Sequence, residues 1–478
     1  MKRLFTASLL FITVLNAAAQ GYKVTLHTKS YTQGLAYLTY YYGANMNIQD
    51  SAIVSNKGIA VFKNIKPLPP GVYAIVFPGK NKLFDFFVDK QQVIDITADT
   101  TDLVNGPIVT GSKENDLFRE YQKYIDKQGK LLNAEQQAYN TAKTKADSVM
   151  HEQYYQALNR DLTLYREDVI SKHPETMLAT LFESMRHPQV LNNSPATKAD
   201  SAENYNYYKS HYWDGISFMD SRVIRTPFFL PKLEKYYREV LTPASDSIVK
   251  EADYMLLLAR SDTGMYQFLL NWLTDEYINP KYMGQDAVFV HLFNKYHSKG
   301  LSTWLSEKQH TTISNRAYML MSNLLGEKAA DLKLIDSSGK AASLFGLPAK
   351  YTVVVFWDPT CGHCREEVPR LDSFYQHKWK QNGVKMFGVL TENDTPKWVE
   401  FIKDKNLKGW THVYQTEKSR KDEVDNNRPG FRQLYDVTQT PTVYLLDSDK
   451  RIIAKKLSPD QVDNLLDVKM TTKTSTIK

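Results

Sequence analysis

The chain has 478 residues, a formal net charge of +7 and only two cysteines. Two cysteines exclude a multi-disulfide framework and supply half of the ligands of a closed zinc site. The charge is small for this length, and no lysine–arginine cluster interleaved with aromatics stands out, so nucleic-acid binding is not expected.

Residues 1–19 read as a secretory signal peptide. Lys2 and Arg3 give a basic start, Leu4 to Leu15 is mostly apolar, and Ala17-Ala18-Ala19 precedes Gln20 as a small-residue cleavage site. The apolar run is shorter than the ~18 residues of a membrane span, no cysteine follows it for lipid attachment, and no later segment is apolar enough to span. The mature chain, at +5, is expected to be exported and soluble, in the periplasm or an equivalent compartment.

Residues 20–110 read as an antiparallel β-sandwich. Tyr22 to His27 alternates, Leu35 to Tyr42 is rich in aromatics, and Ile53-Val54 and Ile59 to Phe62 flank the turn Asn56-Lys57-Gly58. Val72 to Phe77, Phe84 to Val88 and Val93 to Ile96 complete a set of short, regularly spaced strands. Nothing in this segment carries chemistry. The chain's thirty tyrosines suit half-buried positions, where a ring packs and a hydroxyl stays wet; a tyrosine-lined binding surface is the alternative.

Residues 111–325 read as all-α. Asn133 to Ser171 holds neither proline nor glycine and predicts one long helix or two in sequence, ending before His173-Pro174. Further helices are predicted at 177–185, 202–212, 230–240, 245–259, 262–277, 287–297 and 311–325. The histidines His151, His173, His187 and His297 form no metal-spaced pair on a helix face, and no metal site is expected.

Residues 326–478 alternate β and α. Asp331 to Asp336 is followed by the turn Ser337-Ser338-Gly339-Lys340. Thr352 to Trp357 is a continuous apolar run, hence a buried strand, and Cys364 to Lys380 a helix. Val384 to Leu390, the helix Pro396 to Lys405, the paired strands Val443 to Leu446 and Ile452 to Lys455, and a helix opened by Ser458-Pro459 complete the order β-α-β-α-β-β-α. With both cysteines at the first β–α turn, this is the order of an α/β thioredoxin fold.

The cysteines stand as Cys361-Gly362-His363-Cys364. Thiol–disulfide exchange begins with a thiolate, so the first thiol must ionise near neutral pH and reach solvent. Cys361 at a helix N-terminus meets that need, because the helix dipole and its free amides favour the anion. Cys364, one turn inside, would attack the mixed disulfide and release product. His363 adds a polar, partly cationic neighbour that favours the thiolate. Gly362 and Trp357 frame the pair. No cofactor is needed beyond the Cys361–Cys364 redox pair itself. Haem attachment fails, because Arg365 stands where histidine is required. A peroxiredoxin fails on Asp358 and Val354. A zinc site lacks two ligands, with only His377 near.

Phe356-Trp357-Asp358-Pro359-Thr360-Cys361-Gly362-His363-Cys364 resembles the active-site segment of thioredoxin-like proteins. The following Arg365-Glu366-Glu367-Val368-Pro369 is similar to the exported TlpA/ResA-like thiol–disulfide oxidoreductases. Tyr435-Asp436-Val437-Thr438-Gln439-Thr440-Pro441-Thr442-Val443 resembles that family's second motif. The resemblance covers about 150 residues. It implies a cis bond at Pro441, a Thr440 backbone turned toward an extended substrate strand, and Glu367 as an acid–base group near Cys364. It also implies disulfide- or dithiol-containing exported proteins as partners and an upstream membrane partner that recharges the pair. Two departures stand out. Val355 occupies the place of thioredoxin's buried aspartate, and Thr360 replaces the tryptophan before the first cysteine. The front segments are similar to the β and helical domains fused to such proteins in Bacteroidota, with Tyr212-Trp213-Asp214, Asp220-Ser221-Arg222 and Thr226-Pro227 as the best match, and imply no activity. A non-catalytic periplasmic binding or scaffold protein with an accessory thioredoxin domain is the alternative. The direction of exchange, as reductant, oxidant or isomerase, stays open at this point.

Overall fold

A computed structural model describes residues 21–472 apart from 30, 79–80, 100–101, 103–105, 193 and 393. The expected signal peptide, residues 1–19, lies outside the described residues. The chain forms two compact units: residues up to Leu241 with Leu257–Tyr266, and Thr242–Leu256 with the residues from Gln267 onward. The helices expected over 111–325 are therefore shared between the two.

The first unit begins with eight strands: β1 Tyr22–Thr28, β2 Gly34–Tyr42, β3 Asn45–Val54, β4 Ile59–Asn64, β5 Gly71–Phe77, β6 Asn81–Val88, β7 Val93–Ala98 and β8 Ile108–Thr110. They build two four-stranded sheets, ordered β4-β1-β7-β8 and β3-β2-β5-β6. Val24, Leu26, Phe62, Ile94 and Ile96 from one sheet meet Leu38, Tyr73, Ile75 and Phe86 from the other in a common core. The sandwich is not purely antiparallel, because β1 and β7 pair in parallel. A parallel pair needs a long crossover, and here the second sheet together with β4 is the connection.

Apart from Val76, every residue of β5 is buried, because its two faces meet two cores. Tyr73 and Ile75 face the sandwich, whereas Val72, with Phe87 of β6, packs on Tyr121, Leu178 and Phe182 of the helices. Those helices are Lys113–Thr141, Lys145–Lys172 and Met177–Met185. The long helical stretch is thus two helices, broken where Thr144 accepts from the Asp147 N–H as an N-cap. Between Gln128 and Val169 this helical hairpin has no buried side chain. The buried Glu114 carboxylate caps the Met177–Met185 helix, accepting from the N–H groups of Met177 and Leu178.

The second unit is built on a seven-stranded sheet, ordered β10-β9-β13-β12-β11-β14-β15. Its strands are β9 Lys333–Asp336, β10 Ala341–Ser343, β11 Tyr351–Trp357, β12 Val384–Leu390, β13 Thr411–Tyr414, β14 Thr442–Leu446 and β15 Ile452–Lys455. β11 runs parallel to β12 and antiparallel to β14. All seven residues of β11 are buried. Val353, Val355 and Trp357 face the helices Gly362–Phe374 and Pro459–Thr472, and Val354 and Phe356 face Phe431, Tyr435 and Tyr444. Burial of both faces explains why β11 reads as an unbroken apolar run rather than an alternation.

The helices that precede this sheet in the second unit are keyed to it by buried charge. Lys455 of β15 donates to the Asp286 carboxylate, to Asn323 O at 2.7 Å and to Asn323 Oδ1 at 2.8 Å. Arg316 donates to Asp436 at 2.6 Å.

Removing one partner of a buried pair strands the other charge, so Asp286→Ala should destabilise this unit by about 3–5 kcal/mol. Urea unfolding followed by tryptophan fluorescence reads it, because every tryptophan except Trp213 lies in this unit. A loss below about 1 kcal/mol would contradict the keying role.

Burial pushes the Glu114 carboxyl up to about 7 from its ordinary 4.5. Between those values the folded state holds the proton more tightly than the unfolded chain, so stability falls as pH rises through the window. Glu114→Gln should flatten that slope, a difference of up to about 3 kcal/mol, in pH-dependent urea unfolding followed by circular dichroism.

Candidate active site

β11 ends at Trp357, and the chain turns through Asp358-Pro359-Thr360 into the helix Gly362–Phe374, with Cys361 at its N-cap. The turn is held by Asp358, whose Oδ1 accepts from the Thr360 N–H at 2.8 Å and from its hydroxyl at 2.9 Å. The Asp358 N–H points the other way and donates to Cys364 Sγ at 3.5 Å. Both cysteines are free thiols, Cys361 half-buried and Cys364 fully buried.

The two sulfurs differ strongly in solvation. The Cys361 thiol is held below its ordinary value, first by hydrogen bonding from the Thr440 side chain, then, against the upward push of burial, by the backbone N–H groups of Cys364 and His363. The Thr440 carbonyl, which accepts from this thiol at 3.4 Å, favours the neutral form and works the other way. Burial pushes the Cys364 thiol up to about 12. Cys364 packs in the apolar cluster of Trp357, Val368 and Leu371.

The Thr440–Pro441 peptide bond is cis. Fold-back of this loop brings Thr440 to Cys361 across 79 positions of sequence. Beside it runs a groove of about 340 Å³, lined among others by His363, Glu367, Pro441 and Lys456. Trp357 is fully buried against Phe401, with ring centroids 5.3 Å apart. Gly362 is on open surface, where an added Cβ would meet nothing within 4 Å.

Of the residues singled out in the sequence, Cys361, Cys364, His363, Thr440 and Pro441 converge here. Glu367 differs in placement from the expectation that it serves Cys364. Its carboxylate accepts from Arg370 at 3.0 Å and lines the groove next to Pro441. Glu367 stands three residues from both Cys364 and Arg370, so spacing does not decide between them; Cys364 is sunk in the apolar core, and the Arg370 guanidinium takes the Glu367 carboxylate at the surface. Two residues were missed. Asp358 carries the turn and meets Cys364 through its backbone. Lys456 reaches the groove while it donates to the buried Asp436 at 2.7 Å. An aspartate two residues before a threonine is a readable turn signal for the first; no local signal marks the second.

A central parallel pair of strands, flanked by an antiparallel hairpin and covered by helices on both faces, with a dithiol at the first strand–helix turn, defines a thioredoxin-like fold of the thiol–disulfide oxidoreductase kind. Residues 324–469 match the Redoxin family. Residues 22–118 and 143–323 match two domains of unknown function, DUF4369 and DUF5106.

Solved structures from several bacteria are similar to parts of the chain. A domain of a possible thiol-disulfide isomerase from Cytophaga hutchinsonii is 34% identical over 32% of this chain and 97% of its own, with a TM-score of 0.28. The thioredoxin domain of a thiol-disulfide oxidoreductase from Bacteroides vulgatus is 29% identical over 30% and 95%, with a TM-score of 0.26. A thioredoxin-like protein from Bacteroides caccae is 19% identical over 59% and 98%, with a TM-score of 0.43. No curated protein matches the chain.

The thiol asymmetry gives a direct test. At neutral pH, alkylation should modify Cys361 and leave Cys364 intact, and the rate should follow one ionisation below the ordinary thiol value of 9. Thr440→Val should move that midpoint upward. Equal labelling of both cysteines by mass spectrometry would contradict the asymmetry.

Proposed function

We propose that the chain catalyses thiol–disulfide exchange in exported proteins. Cys361 is the nucleophile and Cys364 the resolving thiol. The observation that carries this reading is the pairing of an accessible, readily ionised sulfur with a deeply buried one, a single helical turn apart. The Cys361 thiolate attacks a substrate disulfide and forms a mixed disulfide, and one substrate thiolate leaves. Cys364 gives up its proton, attacks the Cys361 sulfur of the mixed disulfide and displaces the second substrate thiolate, which takes up a proton as the Cys361–Cys364 disulfide closes. One disulfide is reduced and one formed, and the reverse sequence oxidises a substrate dithiol.

Thr440 and the cis-Pro441 loop offer backbone to an extended substrate strand beside Cys361. His363 and Lys456 supply polar groups on the groove wall, and Glu367 the carboxylate. The sequence of residues 1–19 supports export, and the pair then needs an upstream thiol–disulfide partner for recharging. The histidine between the cysteines supports a potential toward the ~−180 mV of protein disulfide isomerase rather than the ~−270 mV of thioredoxin.

Insulin reduction by dithiothreitol tests the activity. The wild type should accelerate it, Cys361→Ser should abolish the effect, and Cys364→Ser should accumulate mixed disulfides with exported proteins. Absence of dithiol-dependent turnover in the wild type would favour a binding or scaffold role. Equilibration with glutathione reads the potential; a value at or below that of thioredoxin would refute the oxidising poise.

A further inference from the structure

The Tyr212-Trp213-Asp214 segment singled out in the sequence takes no part in the dithiol chemistry, yet it forms one wall of a cleft in the first unit. The cleft holds about 510 Å³, within the range of small-ligand sites. It opens between the helix Lys145–Lys172, the end of the helix Met177–Met185 and the helix Lys198–Ser210. Phe182, Tyr207 and Tyr212 are among its aromatic walls. Tyr207 stacks on His211 at 4.1 Å, and Tyr212 donates to Lys232 O at 2.9 Å, so neither ring is loose.

The charges around this cleft pair unevenly: Glu167, Glu183 and Asp214 all lie near Arg186. Arg186 is matched by Glu167, which accepts from its Nε at 2.8 Å and again from Nη2. Gly215 makes room for that guanidinium: it has φ of +83°, and an added Cβ would stand 2.5 Å from Arg186 Nη1. Lys232 is buried at 3% exposure, with Nζ 5.1 Å from the Tyr212 ring centroid. Its ammonium donates to Arg186 O, and its charge is offset by that of Asp214. Burial brings the Lys232 amine down to about 8, as expected for a cation with few partners.

Arg166 is left over. Its Nε and Nη2 donate to the Tyr121 hydroxyl at 3.3 and 3.0 Å, and its guanidinium lies 5.9 Å from both the Tyr121 and Phe182 ring centroids. Among the described residues it pairs with no carboxylate. The site therefore presents one guanidinium that no carboxylate pairs with, held in orientation by the Tyr121 hydroxyl beside aromatic walls. A planar fork of this kind recognises a carboxylate, and the rings accept an apolar body.

We propose that this cleft binds a monocarboxylate with an aromatic or apolar body, its carboxylate on Arg166 and its body against Phe182, Tyr207 and Tyr212. The inference is independent of the dithiol reading. The carboxylate belongs to a free small acid or to the C-terminus of a peptide, and two pairs of probes separate these sources.

Calorimetry on the full chain compares 3-phenylpropionate with 3-phenylpropionamide, and a tetrapeptide ending in a free phenylalanine carboxylate with its C-terminal amide. The acid of at least one pair should bind about tenfold or more tightly than its amide, the scale of a charge-assisted hydrogen bond. Tighter binding of the small acid identifies a free ligand, and tighter binding of the peptide acid a chain terminus. Arg166→Gln should remove the acid preference. Gln189→Trp, a change at an exposed lining residue, should weaken both acids by filling the cleft, with an unchanged melting curve. Equal binding of acids and amides, an Arg166→Gln variant that keeps the preference, or no binding of either acid overturns the proposal.

Discussion

The C-terminal unit depends on the complete burial of β11. A strand with all seven residues out of water must be covered on both faces, and that requirement brings a helical layer to Val353, Val355 and Trp357, and the short helix Phe431–Leu434 with loop residues such as Leu332 and Tyr435 to Val354 and Phe356. Because the helix Gly362–Phe374 must lie across the sheet to cover it, its first turn stands at the end of β11. Cys361, at the N-cap, is left at the rim, and Cys364, one turn on, goes under the helix. The unequal chemistry of the two sulfurs follows from packing.

The surroundings tune that inequality without charged side chains. The Thr440 side chain and the amides of the helix's first turn lower the Cys361 thiol and widen it, whereas the Asp358 amide lowers Cys364 and narrows it. Asp358 spends its carboxylate on Thr360, so the residue that replaces the aromatic one before the first cysteine locks the turn. Val355 keeps the region beneath the dithiol apolar, and burial is the largest cause of the raised Cys364 thiol, with the Cys361 sulfur adding to it. The same economy of buried charge is absent farther out, where Lys455 is held by Asp286 and by Asn323 in the buried join between the preceding helices and the sheet.

Much of this was legible in the chain. The apolar run Thr352 to Trp357, the dithiol and Thr440-Pro441 carry the thioredoxin-like order through local signals: continuous hydrophobicity, spacing and turn chemistry. Five of the eight sandwich strands were read within a residue or two, whereas β3 was read only at Ile53-Val54, β6 began three residues early, and β8 was missed. Misses occurred where the deciding contact is distant. β13 is a strand of four residues, Thr411–Tyr414, which is too short to show a period. The parallel pairing of β1 with β7 joins segments some seventy residues apart. The Lys113–Thr141 helix contains Gly129, which locally weakens a helix, yet it is anchored by Tyr121 against Phe182.

Sequence alone pointed to the proposed chemistry, because two cysteines at that spacing after a buried strand suit thiol–disulfide exchange. It also determined the fold class, which rests on hydrophobic periodicity, a property of neighbours along the chain. Tertiary structure decided what depends on groups far apart in sequence. It set Thr440 against Cys361, turned Glu367 to Arg370 and the groove instead of to Cys364, and gathered Arg166, Glu167, Arg186 and Tyr212 around one cleft. Solvation and charge balance are sums over three-dimensional neighbours, and no local pattern in the chain contains them.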